Sequence, residues 1–143
     1  MSKTGQMSDR ISPPEALIYA MVTVSAADRT ITTEELERIG SIVRELPPFR
    51  DFTRNWLADT AQQCGNLLRK PNGIDRVLAV IKASLPPRLY ETAYVLCAEV
   101  AASDLSVHAD ETHFLELLAT ALDLDRPTCA ALERGARARH QRA

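Results

Sequence analysis

One stretch of this chain is written twice. Val24-Ser25-Ala26-Ala27-Asp28 returns 76 residues on as Val100-Ala101-Ala102-Ser103-Asp104. At the same offset Ile31 falls on Val107, Glu34 on Asp110 and Glu35 on Glu111. Ile39, Ile42 and Leu46 fall on Leu115, Leu118 and Leu122, and upstream Met21 falls on Cys97. Each copy has an apolar segment, an Asp, a β-branched residue three positions later, an acidic pair and an amphipathic segment. The apolar spacing is helical throughout, so the unit is a helix–acidic turn–helix hairpin. An Asp carboxylate in such a turn accepts backbone N–H groups. Ile31 or Val107 plugs the turn into the core ahead of the second helix, and the acidic pair sits where the helix dipole favours negative charge. Two such hairpins leave apolar faces uncovered, so the segments between and after them must be helices that cover them.

The rest of the chain supplies those helices. Ser12 and Glu15 form a capping box around Pro13 and Pro14, which opens a first helix carrying Leu17, Met21 and Val24 to about Ala27. Thr32 and Glu35 form a second box, and Pro47-Pro48 ends the second helix. A third helix is expected from about Asp51 to Leu68, with Leu57, Ala61, Cys64 and Leu68 in its stripe. Lys70-Pro71-Asn72-Gly73 is a turn. A fourth helix carries Ile74, Val77, Leu78, Ile81 and Leu85, and Pro86-Pro87 opens a fifth with Leu89, Ala93, Leu96 and Val100. A sixth begins near His108 and carries Phe114, Leu118, Ala121 and Leu122. Asp125 and Pro127 open a weaker seventh that frays into an Arg-rich tail. No segment alternates as a strand does. The expected fold is an all-α, single-domain bundle of about seven helices. Residues 1–11 are read as a flexible leader, 12–136 as the helical domain and 137–143 as a basic tail.

Composition narrows the function. The chain has 143 residues, 45% apolar and 25% charged, enough for one packed core. A formal charge of −2 gives no electrostatic case for nucleic-acid binding. Arg134, Arg137, Arg139 and Arg142 crowd the end of the chain. They are read as a solvated tail suited to a helix C-terminus, in preference to an arm for an anionic partner. Cys64, Cys97 and Cys129 are widely spaced and odd in number, which suggests neither a disulfide framework nor a zinc knuckle. Cys97 takes the place of Met21 and is read as a small core hydrophobe. No apolar run is long enough to span a membrane, and Met1 to Arg10 lack the apolar stretch of a signal peptide. The expected location is the cytoplasm.

The doubled pattern Ala26-Ala27-Asp28, Ile31-Thr32, Glu34-Glu35 and Ser103-Asp104, Val107, Asp110-Glu111 resembles the paired acidic turns of the TerB-like tellurite-resistance family. The resemblance covers about residues 13–125. It implies an accessory or scaffold protein of the tellurite and chemical-stress response, with a protein partner that includes a membrane-associated complex among its candidates. The family usually carries Gly after the turn Asp, where this chain has Arg29 and Leu105.

Three functional classes follow. The first is a divalent-cation site built from Asp28, Glu34, Glu35, Asp104, Asp110 and Glu111, hard oxygen ligands that suit calcium, magnesium or manganese. Each of these carboxylates also has a capping or dipole role, and the spacing is not that of an EF-hand loop. The second is an interaction module whose acidic face docks a basic segment, with or without a link to tellurite. The third is a metal-dependent enzyme or sensor. Against it, no nucleophile elbow, phosphate loop, zinc-protease or dinucleotide motif is present. His108 and His113 are five apart, which separates them around a helix. His108 stands in the place of the Thr32 cap. The expectation is a non-enzymatic protein. Phe49, Phe52 and Trp56 cluster at the Pro47-Pro48 corner, and are read as pinning the third helix to the core in preference to an exposed docking patch.

Overall fold

A computed structural model of the protein describes residues 10–26, 30–44, 46–50, 53–103 and 109–142, with residues 109 and 110 described by backbone alone. Seven α-helices follow one another among the described residues: α1 (Pro13–Ala26), α2 (Thr33–Val43), α3 (Arg54–Leu68), α4 (Gly73–Ser84), α5 (Tyr90–Ser103), α6 (Ala109–Ala121) and α7 (Arg126–Arg139). Short 3₁₀ turns, Pro47–Phe49 and Pro87–Leu89, precede α3 and α5, and no strand occurs among the described residues. The expected all-α bundle is the fold.

The helix starts follow the local chemistry. Before α1, the Ser12 N–H donates to Glu15 Oε1 at 2.9 Å, and the Glu15 N–H to Ser12 Oγ at 3.3 Å. The same reciprocal pair, Thr32 with Glu35, caps α2 at 2.9 and 3.1 Å. Thr53 caps α3, accepting from the Trp56 N–H at 3.1 Å. Asp125 caps α7, accepting from the Thr128 N–H at 2.8 Å, and this bond draws its carboxyl below the usual range. Each such cap contributes about 1 kcal/mol to its helix. Asp123 closes α6 in the left-handed region, φ 58°. Leu124 N–H then reaches back to the Ala119 carbonyl at 2.9 Å, and Asp123 N–H to Thr120 at 3.2 Å.

α1 is the axis of the bundle. Residues 16–24 are all buried, so Ile18, Tyr19 and Val22 are covered as fully as the stripe Leu17, Met21 and Val24. A helix apolar on every side must be surrounded. α1 packs against α2, α3, α4, α5 and α6. α5 packs against α1, α2 and α6, and α7 lies along its outer side. The covering role expected of the third, fourth and seventh helices is the one they have. Phe114 and Leu118 of α6, Leu122 just past its end, and Ile39 and Val43 of α2 complete the core. Each of these buried side chains contributes roughly 1.5–3 kcal/mol.

Two glycines mark close approaches. A Cβ on Gly40 would stand 3.3 Å from Leu57 Cδ2, so α2 gives up side-chain bulk where α3 crosses it. A Cβ on Gly73 would stand 2.1 Å from the Leu68 carbonyl oxygen, which no side chain can accommodate. Asn72 before it is left-handed at φ 58°, so the α3–α4 turn depends on both residues. At the other proline corner Phe49 is buried against Trp56, ring centroids 6.5 Å apart, which pins α3 as expected. Phe52 lies outside the described residues.

Candidate functional site

The six acids of the expected cation site divide into three groups. Asp28 and Asp104 lie outside the described residues, as do Arg29, Leu105 and His108. Asp110 is the second residue of α6, described by its backbone. Glu34, Glu35 and Glu111 are described in full. Glu34 is exposed in the first turn of α2. Glu35, half-buried, has one oxygen committed to the Thr32 N–H. Glu111, in the first turn of α6, is 7% exposed, an unusual depth for a carboxylate so near a helix start. Among the described residues no three His, Cys, Asp or Glu side chains come together as metal ligands do.

α6 begins 76 residues after α2, at Ala109 against Thr33, so Glu35 and Glu111 are both the third residue of their helices. α1 packs on α5, α1 also packs on α6, and α5 packs on α2. Each acid-bearing helix therefore packs on the first helix of the other hairpin. Both glutamates sit in the first turn of their helices, where backbone N–H groups favour negative charge.

The cysteines behave as core residues. All three are free and buried. Cys97, wholly enclosed, has its thiol pushed up by burial, in keeping with its reading as a small hydrophobe. Burial pushes Cys64 up to about 12; its Sγ lies 3.5 Å from the Tyr19 carbonyl and 3.6 Å from Thr23 Oγ1. Thiols held in the protonated form are poor nucleophiles. Cys129 is also shifted up by burial, beside Tyr94.

A polar seam between α5 and α7 was not foreseen from the sequence. Glu99, its side chain 8% exposed, accepts from Arg139 Nε at 3.0 Å and lies 3.0 Å from His140 Nε2, both on the same oxygen. Nearby the Tyr94 hydroxyl donates to Glu133. α7 therefore does not fray among its arginines: it runs to Arg139, and its last residues are tied to α5. The available signal was an acid inside the apolar run Leu96-Cys97-Ala98-Glu99-Val100. Such an acid needs a cation from elsewhere in the chain. His113, by contrast, is exposed, 3.9 Å from Glu116.

Fold and acid placement define the class, an all-helical bundle with acidic first turns on two hairpins packed against each other. The chain matches the family model described as tellurite resistance protein TerB over residues 14–134, and it belongs to that family. Membership supports a role related to tellurite resistance. Neither a curated protein nor a solved structure matches the chain. No helix among the described residues is long and apolar enough to cross a membrane.

Proposed function

We propose that this protein is a non-enzymatic accessory or scaffold of the tellurite and chemical-stress response. It works in the cytoplasm and binds a divalent cation, or a basic segment of a partner protein, through its two acidic turns. A membrane-associated stress complex is a partner of the right kind. The observation that carries this reading is the family match over residues 14–134, which takes in both acidic pairs. The depth of Glu111 and the reciprocal packing of the four hairpin helices support it. Asp28, Glu34, Glu35, Asp104, Asp110 and Glu111 offer oxygen donors alone, which suits calcium, magnesium or manganese over softer metals.

Calorimetric titration with each of these cations at low salt, paired with thermal melts, tests the reading. A saturable response that disappears when Asp28 and Asp104 are both replaced by Asn, with helicity retained, supports a cation site. No response at millimolar cation removes the cation and leaves the partner. Unfolding of the double variant makes the two carboxylates structural and takes away the site.

A further inference from the structure

Away from the acidic turns, an open groove of about 710 Å³ runs between α3 and α4 with α1 as its floor. That volume lies within the usual range of small-molecule sites. Its lining is mixed. Leu67, Val80, Ala83 and Ile11 supply apolar surface, Gln63 and Asn66 interrupt it on the α3 side, and Lys70 and Arg76 stand at the end formed by the α3–α4 turn. Arg76 is held there by its Nε–H, which donates to the Pro71 carbonyl at 2.8 Å. Neither cation pairs with a carboxylate among the described residues. Glu15, the acid whose charge bears on Tyr19, is tied to Ser12 next to Ile11, so the far end of the groove is the less favourable one for an anion.

The floor carries the second observation. Tyr19 is 5% exposed and lines the groove, and no buried side-chain polar atom among the described residues lacks a partner, so its hydroxyl is open to water there. A ligand oxygen takes the place of that water as the acceptor of the phenol O–H. Burial pushes this phenol up to about 12, so it remains a donor at any physiological pH. From Arg76 to Ala83 the wall extends about 10 Å at the helical rise, the reach of a medium-length acyl chain.

We propose that the α3–α4 groove is a binding site for a medium-chain carboxylate. Lys70 and Arg76 hold the acid group, the Tyr19 hydroxyl donates to a ligand oxygen, and the chain lies along Leu67, Val80 and Ile11. This site is independent of the acidic turns and stands whether or not they bind a cation.

The probe is sodium decanoate below its micelle concentration, titrated into the full chain at low salt and followed by amide chemical shifts. Decanol and decylammonium serve as uncharged and cationic controls. The expected result is saturable binding with shifts confined to the groove residues and weaker binding of both controls. Tyr19→Phe weakens decanoate about fivefold and Lys70→Glu at least tenfold, about the value of one hydrogen bond and one charge contact respectively. Ala83→Trp, which fills the apolar end, reduces affinity with the fold intact by circular dichroism. Decylammonium binding as tightly as decanoate would overturn the proposal, as would affinities indifferent to all three substitutions. A groove whose shifts change on deleting residues 1–9, with no decanoate response in either chain, would make the N-terminal segment its occupant and also overturn it.

Discussion

Thr23 and Glu99 stand 76 residues apart, each a polar residue buried in an apolar helix, α1 and α5. They satisfy their polar atoms in opposite ways. Thr23 Oγ1 donates to the Tyr19 carbonyl of its own helix at 2.8 Å, one turn back. Its bond forms as the helix forms. Glu99 has no local partner of this kind and depends on Arg139 and His140, forty residues later in the chain. The same step of the pattern therefore leaves α1 self-sufficient and makes α5 dependent on α7. A second pair repeats the lesson. Gly40 of α2 meets Leu57 of α3, whereas Glu116, 76 residues on, is 74% exposed on α6. The two hairpins are covered differently: α3 packs on α2, and α7 on α5.

The contrast can be broken most directly at the end of the chain. Ending it at Ala138 removes Arg139 and His140 and leaves the Glu99 carboxylate buried without a cation. A loss of about 3 kcal/mol is expected, the scale for a stranded buried charge. Urea denaturation gives the magnitude. Hydrogen exchange should show protection falling in α7 and the second half of α5, while α1 to α4 keep theirs. Uniform loss across all seven helices would contradict the separate roles assigned to Thr23 and Glu99.

The second pair predicts an asymmetry of about 2 kcal/mol. Gly40→Leu forces a side chain into the α2–α3 crossing and should cost that much through overpacking. Glu116→Leu, on an open face, should stay within about 0.5 kcal/mol. Equal effects in thermal melts would mean that the two outer faces are not differently covered.

Thr23→Val should cost under about 1 kcal/mol, because the Tyr19 carbonyl keeps its backbone donor within the helix. The α1–α3 contact has a pH signature as well. Cys64 and Tyr19, raised in the fold to about 12 from 9.0 and 10.0, lose protons more readily in the unfolded chain. Their contribution is complete below about pH 9 and declines as pH rises toward about 12. Melts at roughly pH 8 and pH 10.5 should show this decline, and Cys64→Ala should flatten it. The smallest expected effect is a gain. Asp123→Gly relieves a left-handed residue and removes a negative charge from a helix C-terminus, and should add about 0.5–1 kcal/mol.

Much of this architecture was written in local chemistry. Both capping boxes, the proline corners and the Asn72-Gly73 turn could be read off directly because each rests on neighbours within a few residues. The failures were long-range. Nothing near Glu99 announces Arg139, and Gly40 signals a close helix approach without naming Leu57 as the partner. The all-round burial of α1 was hidden for a different reason: Leu17, Met21 and Val24 satisfy a single stripe, so Ile18 and Val22 read as surplus until five neighbours surround them. Of the candidate site, residue types and helix positions were legible for Glu34, Glu35 and Glu111. The approach of one acidic turn to the other depends on residues 28 and 104, outside the described residues. The α3–α4 groove leaves no pattern in sequence, since it is a gap between helices.

The enclosure of α1 has a consequence for how the protein is made. Its neighbours are distributed along nearly the whole chain, with α5 and α6 ending at Ser103 and Ala121. Of these seven helices, the first to leave the ribosome is thus among the last to be fully covered. Until α6 has emerged, the nascent protein carries an apolar segment with no finished shelter, the kind of surface on which chaperones act. Its core can close only once α6 has emerged, and the order of translation runs against the order in which α1 needs its neighbours.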